Sequence, residues 1–221
     1  AGGRIVLAHR AQFCEDFPLT EVLLGAIADA RLASGRLATP LRSETRTLLV
    51  MTDHTHDTRS IEPTAEKYNA TLVKREDDND SLARFWVRYD GPEQPDFEPG
   101  QYMTIGVYAD DKLYQRPYSV SSAPADTGEQ GFEFYVRLVP ILRFTTLLWR
   151  LPVGHQMRMI GPKGRFMLEP DDDRTHLFIS TGTGIAPFIA MTQQLLHDQR
   201  PRRTVMVHGC SYQDELGYRE W

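Results

Sequence analysis

The chain has 221 residues, 41% hydrophobic and 25% charged, with a formal net charge of −5, the composition of a soluble globular protein of one large or two modest domains. No apolar run approaches the roughly eighteen residues of a membrane span, and 30 acidic against 25 basic residues disfavour binding to a nucleic-acid phosphate backbone. The two cysteines, Cys14 and Cys210, form no CxxC unit, which leaves no iron–sulfur cluster or zinc ribbon built from this chain alone and points to a reducing, cytoplasmic setting.

Residues 1–62 differ from the rest. Pro18 opens a stretch in which Leu19, Val22, Leu23, Ile27 and Ala30 keep near-helical spacing, predicting one helix over 18–34. MTDHTHDTRSIEPT (51–64) is polar and uneven and reads as linker or disorder. The chain opens on Ala1, and Met51 is the candidate true start. His54 and His56 have no partner ligands nearby in sequence, so no metal is assigned.

From Tyr68 onward short β-type runs follow one another: NATLVKRE, SLARFWVRY, QYMTIGVYA, RPYSVSS, FEFYVRLV and HQMRMIG, with turn signals between them. Such spacing predicts a compact antiparallel barrel or sandwich over 63–170. One helical patch interrupts it at 144–151, with Leu147, Leu148 and Leu151 on one side. After residue 170 the pattern becomes strand (THLFIS), turn (TGTG), helix (IAPFIAMTQQLLHDQ), strand (TVMVHG), and then SYQDELGYREW, which predicts the opening of a second helix carrying Trp221. Alternating strand and helix predicts a parallel α/β unit over 171–221, and one that is incomplete as it stands.

Three elements carry candidate chemistry. In THLFISTGTGIAPF a strand runs into a glycine-bearing turn and a helix start, which brings backbone N–H groups and a positive helix end to one point, suited to a pyrophosphate. The pattern is not GxGxxG, and a plain βα turn also requires glycine there. In RPYSVSS, strand alternation sets Arg116, Tyr118 and Val120 on one face, with Pro117, Ser119 and Ser121 on the other; a guanidinium clamps phosphate and a tyrosine ring stacks on a flat heterocycle, though a half-exposed strand with a core tyrosine reads the same. IGPKGRF (160–166) is by itself only a turn.

RPYS, GPKGRF, TGTGIAPF and VHGCSYQDELGYRE occur in the order and spacing of the ferredoxin/flavodoxin–NADP reductase family, which residues 63–221 resemble, most nearly its bacterial-type members without a built-in iron–sulfur domain. The resemblance implies a Greek-key FAD barrel followed by an NAD(P)-binding α/β domain. It implies that Arg116 holds the FAD pyrophosphate and Tyr118 packs on the isoalloxazine, with Pro117 between them. Ser119 then lies near flavin N5, the one side chain placed at the reacting atoms, and Tyr135, Val136, Arg137 and Leu138 meet FAD through their backbone. It places Thr145 under the pyrophosphate, although Ile141 and Leu142 stand where the family commonly has a glycine. The dinucleotide falls to Thr181, Gly182, Thr183, Gly184, Ile185, Ala186 and Pro187, with Gly209 and Ser211 after the next strand, and Thr183 facing flavin as well. The cofactors implied are FAD and NADP(H), with NAD(H) open because Ser211 brings no charge. The implied reaction is hydride transfer between nicotinamide C4 and flavin N5, with ferredoxin or flavodoxin as electron partner. Two rivals are the reductase component of an oxygenase assembly, and a binding protein that keeps the fold without flavin.

Overall fold

The computed structural model of the chain describes residues 67–169, 174–200 and 202–219. The helix expected over 18–34, the start at Met51, Cys14, His54, His56 and Trp221 all lie outside the described residues.

Six strands form one antiparallel sheet: β1 (Ala70–Asn79), β2 (Leu82–Tyr89), β3 (Tyr102–Ala109), β4 (Lys112–Ser119), β5 (Phe132–Arg137) and β6 (Gln156–Lys163), in the order β4-β3-β6-β1-β2-β5. Alternation along each strand sends Leu72, Phe85, Met103, Ile105, Phe132, Phe134, Met157 and Met159 inward, and none retains measurable exposure. Each such side chain contributes roughly 1.5–3 kcal/mol of apolar burial, which makes this single cluster the main source of the domain's stability. The two sheet ends meet where Val120 bridges Phe134 and the Ser121 N–H donates to the Glu133 carbonyl at 2.8 Å. The sheet thereby closes into the expected Greek-key barrel.

Two details show how the sequence fixes this closure. β1 and β6 share only the pairs Ala70↔Met157 and Thr71↔Gln156. The buried Asn69 side chain extends the ladder: its Nδ2 donates to the Met159 carbonyl at 2.9 Å, and its Oδ1 accepts the Met159 N–H at 2.7 Å. At the other end, Asp110 and Asp111 turn β3 into β4 with φ of 51° and 55°, a left-handed pair that aspartate tolerates better than most residues. The strand expected at 116–122 therefore begins earlier, at Lys112, and pairs along its whole length with β3.

The helical patch is α1 (Arg143–Leu148), shorter than the expected 144–151. Phe144 and Leu148 plug one end of the barrel, with Leu147, Trp149 and Leu151 packed beside them. Leu151 precedes Pro152, which disfavours helical backbone at that position.

The second part is β7 (His176–Thr181), a 3₁₀ turn (Gly182–Ile185), α2 (Ala186–His197) and β8 (Thr204–Gly209). The two strands run parallel from His176↔Thr204 to Thr181↔Gly209, the α/β architecture expected. The helix expected to open after residue 211 is not formed. Residues 211–219 make one 3₁₀ turn at Gln213–Glu215, and Tyr218 takes a φ of 58°. The cause is tertiary. The Asp214 carbonyl is taken by the Asn79 side chain at 2.8 Å, and Gly217 lies so close to Tyr135 that a Cβ there would stand 2.2 Å from the phenol oxygen. Docking on the barrel consumes the groups a helix would have used.

Candidate functional site

Arg116, Pro117, Tyr118 and Ser119 form the last half of β4, an edge of the hydrogen-bonded sheet. Pro117 has no N–H to give, which an edge strand tolerates. Register sets Arg116 opposite Ile105 and Tyr118 opposite Met103, on the face that turns toward the core. Tyr118 packs its ring against Phe144, centroids 5.7 Å apart, and burial holds its phenol protonated far above the ordinary tyrosine range. Arg116 is exposed, and its Nη1 donates to the Gln115 carbonyl at 2.9 Å, leaving most of the guanidinium's five donors open to an anion.

β5 supplies the facing edge. Counting antiparallel from the Val120↔Phe134 bridge sets Ser119 against Tyr135 and Arg116 against Leu138, yet no ladder joins those residues among the described strands. The barrel is thus unzipped between 116–119 and 135–138, leaving backbone donors and acceptors along an open seam. Val136 points into the core with no exposure and contributes only backbone there. Leu138 is held by its N–H to the Ser81 carbonyl at 2.7 Å, and the Arg137 guanidinium is drawn away to Glu215 at 2.6 Å. Thr145 is 2% exposed. Its hydroxyl lies 2.9 and 3.1 Å from the Val139 and Leu142 carbonyls and accepts the Val139 N–H at 3.2 Å. In this arrangement the Thr145 hydroxyl shapes the loop bearing Ile141, which is 90% exposed.

The glycine turn completes the site. Gly182 takes a φ of 49°, and a Cβ added at Gly182 or Gly184 would meet nothing within 4 Å. The turn therefore borders open space at the N-terminal end of α2, with Pro187 in the first helical turn. Thr181 and Gly209 sit side by side at the carboxyl ends of the parallel strands, where α/β sheets take their ligands. Ile185 and Ala186, both buried, pack with Ile189 against Tyr135 and Leu82 on the barrel's outer face. Tyr135 thus belongs to both candidate regions: it borders the seam through its backbone and carries the turn on its ring. Thr183, in the middle of the turn, is half-buried.

Ser211 gives its N–H to Glu215 Oε2 at 3.2 Å, and residues 209–215 carry no basic side chain. Nearby, Ser180 Oγ and His208 Nδ1 are 2.9 Å apart, and burial lowers the His208 pKa, keeping the ring neutral. A separate cleft between Met167, Leu168 and the end of α2 takes in Arg200 and Arg202 and shares no residue with the seam or the turn. Among the described residues, no group of three or more His, Cys, Asp or Glu is placed to hold a metal ion, and no helix is long and apolar enough to cross a membrane.

The structure adds residues that the sequence did not single out. Glu133, on the outer face of β5, is buried, and its Oε1 accepts the Ser121 hydroxyl at 3.1 Å and the Tyr218 hydroxyl at 2.5 Å. The one sequence signal is a carboxylate inside the apolar run FEFYV.

Comparison with known proteins agrees with this layout. The oxidoreductase FAD-binding domain model matches residues 69–168, and the oxidoreductase NAD-binding domain model matches residues 178–221. Ferredoxin–NADP reductase of Pseudomonas aeruginosa is 33% identical over 57% of this chain and 48% of its own length. Methane monooxygenase component C of Methylosinus trichosporium is 25% identical over 92% of this chain and 60% of its own length. Among solved structures, a ferredoxin NADP+ reductase from Neisseria gonorrhoeae with bound FAD and NADP superposes with a TM-score of 0.57 at 24% identity, covering 68% of this chain and 61% of that one. The Amycolatopsis cytochrome P450 reductase GcoB superposes at 0.58 and 26% identity, covering 67% and 44%. The chain spans about half the length of the curated relatives it matches. The chain thus carries an oxidoreductase FAD-binding domain followed by an oxidoreductase NAD-binding domain, and in sequence it is similar to ferredoxin–NADP reductases and to reductase components of oxygenases.

Proposed function

We propose that the protein passes electrons between NADPH and a one-electron carrier such as ferredoxin or flavodoxin, in the cytoplasm. The observation that carries the reading is the unzipped seam between 116–119 and 135–138, which meets the glycine turn at Tyr135. A flat flavin fits a slot edged by unpaired backbone and a neutral tyrosine, and a diphosphate fits an exposed guanidinium.

Bound FAD supplies the redox chemistry, exchanging a hydride between nicotinamide C4 and flavin N5 and releasing electrons singly to the carrier. The chain's own residues bind and orient. Arg116 clamps the flavin-side pyrophosphate, Tyr118 packs on the ring system, and the backbone of residues 135–138 meets its polar edge. The Ser119 hydroxyl would stand near the hydride-accepting atom of the flavin. Residues 181–187 receive the dinucleotide pyrophosphate on their N–H groups and on the positive end of α2, with Thr183 between the two cofactors. Gly209 and Ser211 border the same dinucleotide. Residues 209–215 offer a hydroxyl and backbone donors but no cation, so NAD(H) is accepted beside NADP(H).

A second reading, the reductase component of an oxygenase assembly, draws on the match to methane monooxygenase component C over 92% of this chain, against 57% for the Pseudomonas aeruginosa reductase. An acceptor screen with purified protein separates the two.

The primary test is the visible spectrum of the purified chain and its Arg116→Ala variant. A flavin band is expected in the parent. The variant is expected to bind FAD more weakly by about 1.5–3 kcal/mol, the range for a hydrogen bond to a charged group. Retention of FAD as tight as the parent's on dilution refutes the role given to Arg116.

A further inference from the structure

The residues after β8 do not continue the α/β pattern. They fold back on the barrel, and three contacts tie them there. The Asn79 side chain donates to the Asp214 carbonyl at 2.8 Å. Arg137 meets the buried Glu215 carboxylate at 2.6 Å. The Tyr218 hydroxyl donates to Glu133 Oε1 at 2.5 Å.

The third contact differs from the other two in what lies behind it. Glu133 Oε1 also accepts the Ser121 hydroxyl at 3.1 Å, and the Glu133 N–H donates to Ser122 Oγ at 3.1 Å. Ser121 and Ser122 continue the strand that carries Arg116, Tyr118 and Ser119. One carboxylate oxygen therefore joins the strand bordering the seam to the segment that follows the nucleotide-side sheet. The Tyr218 ring meets Tyr135 edge-on at 5.2 Å between centroids, and Tyr135 packs against Ile185 and Ala186 of the glycine turn. Arg84 lies over the Tyr218 ring at 5.9 Å. Burial of Glu133 raises its pKa against the pull of these bonds, the mark of a polar group fixed in a desolvated interface.

Building on the function proposed above, we propose that Tyr218 is a positioning residue for hydride transfer: through its hydrogen bond to Glu133 it holds the 181–187 turn at a fixed distance from the Arg116–Ser119 strand. Neither side chain touches the reacting atoms. Their work is to keep two halves of one site in register, where a displacement of an ångström is enough to slow a reaction strongly. The contact is suited to this task because it is buried and backed by the Tyr135 ring.

The test uses the full chain with FAD and compares the parent with Tyr218→Phe and Glu133→Gln. Phenylalanine keeps the ring contact with Tyr135 and loses only the hydroxyl; glutamine keeps an oxygen to accept it. Amide exchange over 181–185 and 211–219 is expected to accelerate about tenfold or more in Tyr218→Phe, the consequence of losing one hydrogen bond to a charged group, with strands β1, β3 and β6 unchanged. Glu133→Gln, which still accepts the Tyr218 hydroxyl, is expected to keep most of the parent's protection. The limiting rate of flavin reduction by saturating NADPH is expected to fall about tenfold in Tyr218→Phe, while the half-saturating NADPH concentration and FAD affinity stay within about twofold of the parent. Unchanged exchange in Tyr218→Phe overturns the proposal, as does a defect confined to the half-saturating concentration. A parent that binds no FAD, or whose FAD NADPH does not reduce, overturns the proposed function instead, and the exchange arm then still decides whether Tyr218 holds the turn.

Discussion

The barrel and the nucleotide-side segment are stabilised in different ways. Every barrel strand except the edge strand β4 places two or more side chains in the closed interior, and β5 buries five of its six residues. β8 buries none: Val205 is 45% exposed and Met206 38%. The nucleotide-side segment instead buries Ile185 and the start of α2, and much of that burial is against Leu82 and Tyr135 of the barrel. The barrel carries its own core, whereas the turn takes its position from the surface on which it leans. For a site made of two halves this is a useful division, because the rigid half sets the frame and the other half is held to it by a few identifiable contacts.

The largest expected effect tests the first half of that comparison. Phe85 is fully buried at the centre of the barrel cluster, and Phe85→Ala is expected to cost about 3–5 kcal/mol. Val205→Ala is expected to stay within about 0.5 kcal/mol, as a surface change does. Denaturant midpoints of the two variants decide it. A Val205 variant as damaged as the Phe85 variant breaks the comparison, since β8 would then belong to a packed core.

A smaller effect is expected at the two-pair junction of β1 and β6. Asn69→Ala leaves the Met159 N–H and carbonyl without the partners they now have at 2.7 and 2.9 Å. A loss of about 2 kcal/mol is expected, the cost of buried polar groups left unpaired, read from the same midpoints. Stability equal to the parent's would mean that the two-pair β1–β6 contact closes the barrel unaided.

The barrel strands were legible because half-buried antiparallel strands alternate, and runs such as FEFYVRLV and QYMTIGVYA stand between turn residues. The glycine turn was legible for a local reason too: Gly182 and Gly184 sit between a strand run and a helix run. What could not be seen depended on packing partners rather than on a local pattern. KLYQ, the first half of β4, is too polar to announce a strand and is one because β3 lies beside it. DELGYRE has a composition fit for a helix opening, and docking on Asn79, Arg137 and Tyr135 overrides that tendency. The seam between 116–119 and 135–138 is a divergence of two strands, which no local pattern encodes. Glu133 and Tyr218 lie 85 positions apart, and neither means anything until the fold brings them to one oxygen.

The smallest expected effect is a pH dependence at the interface itself. Burial raises the Glu133 pKa above its ordinary value of 4.5, Glu76 adds to the rise, and hydrogen bonds from Tyr218 and Ser121 and the charge of Arg84 oppose it. The folded state therefore holds this proton more tightly than the unfolded chain does. The stability that follows is complete below the unfolded value of about 4.5 and is lost as pH rises through the higher folded value. Glu133→Gln cannot titrate and keeps an oxygen for Tyr218 and Ser121. The parent's melting temperature is thus expected to decline against that of Glu133→Gln as pH is raised from 4 to 8, and most of the divergence should come above pH 4.5. Parallel curves would mean that Glu133 ionises as freely in the fold as in the unfolded chain. The contact between barrel and turn would then be wet, and a wet contact could not hold the glycine turn in register with the seam.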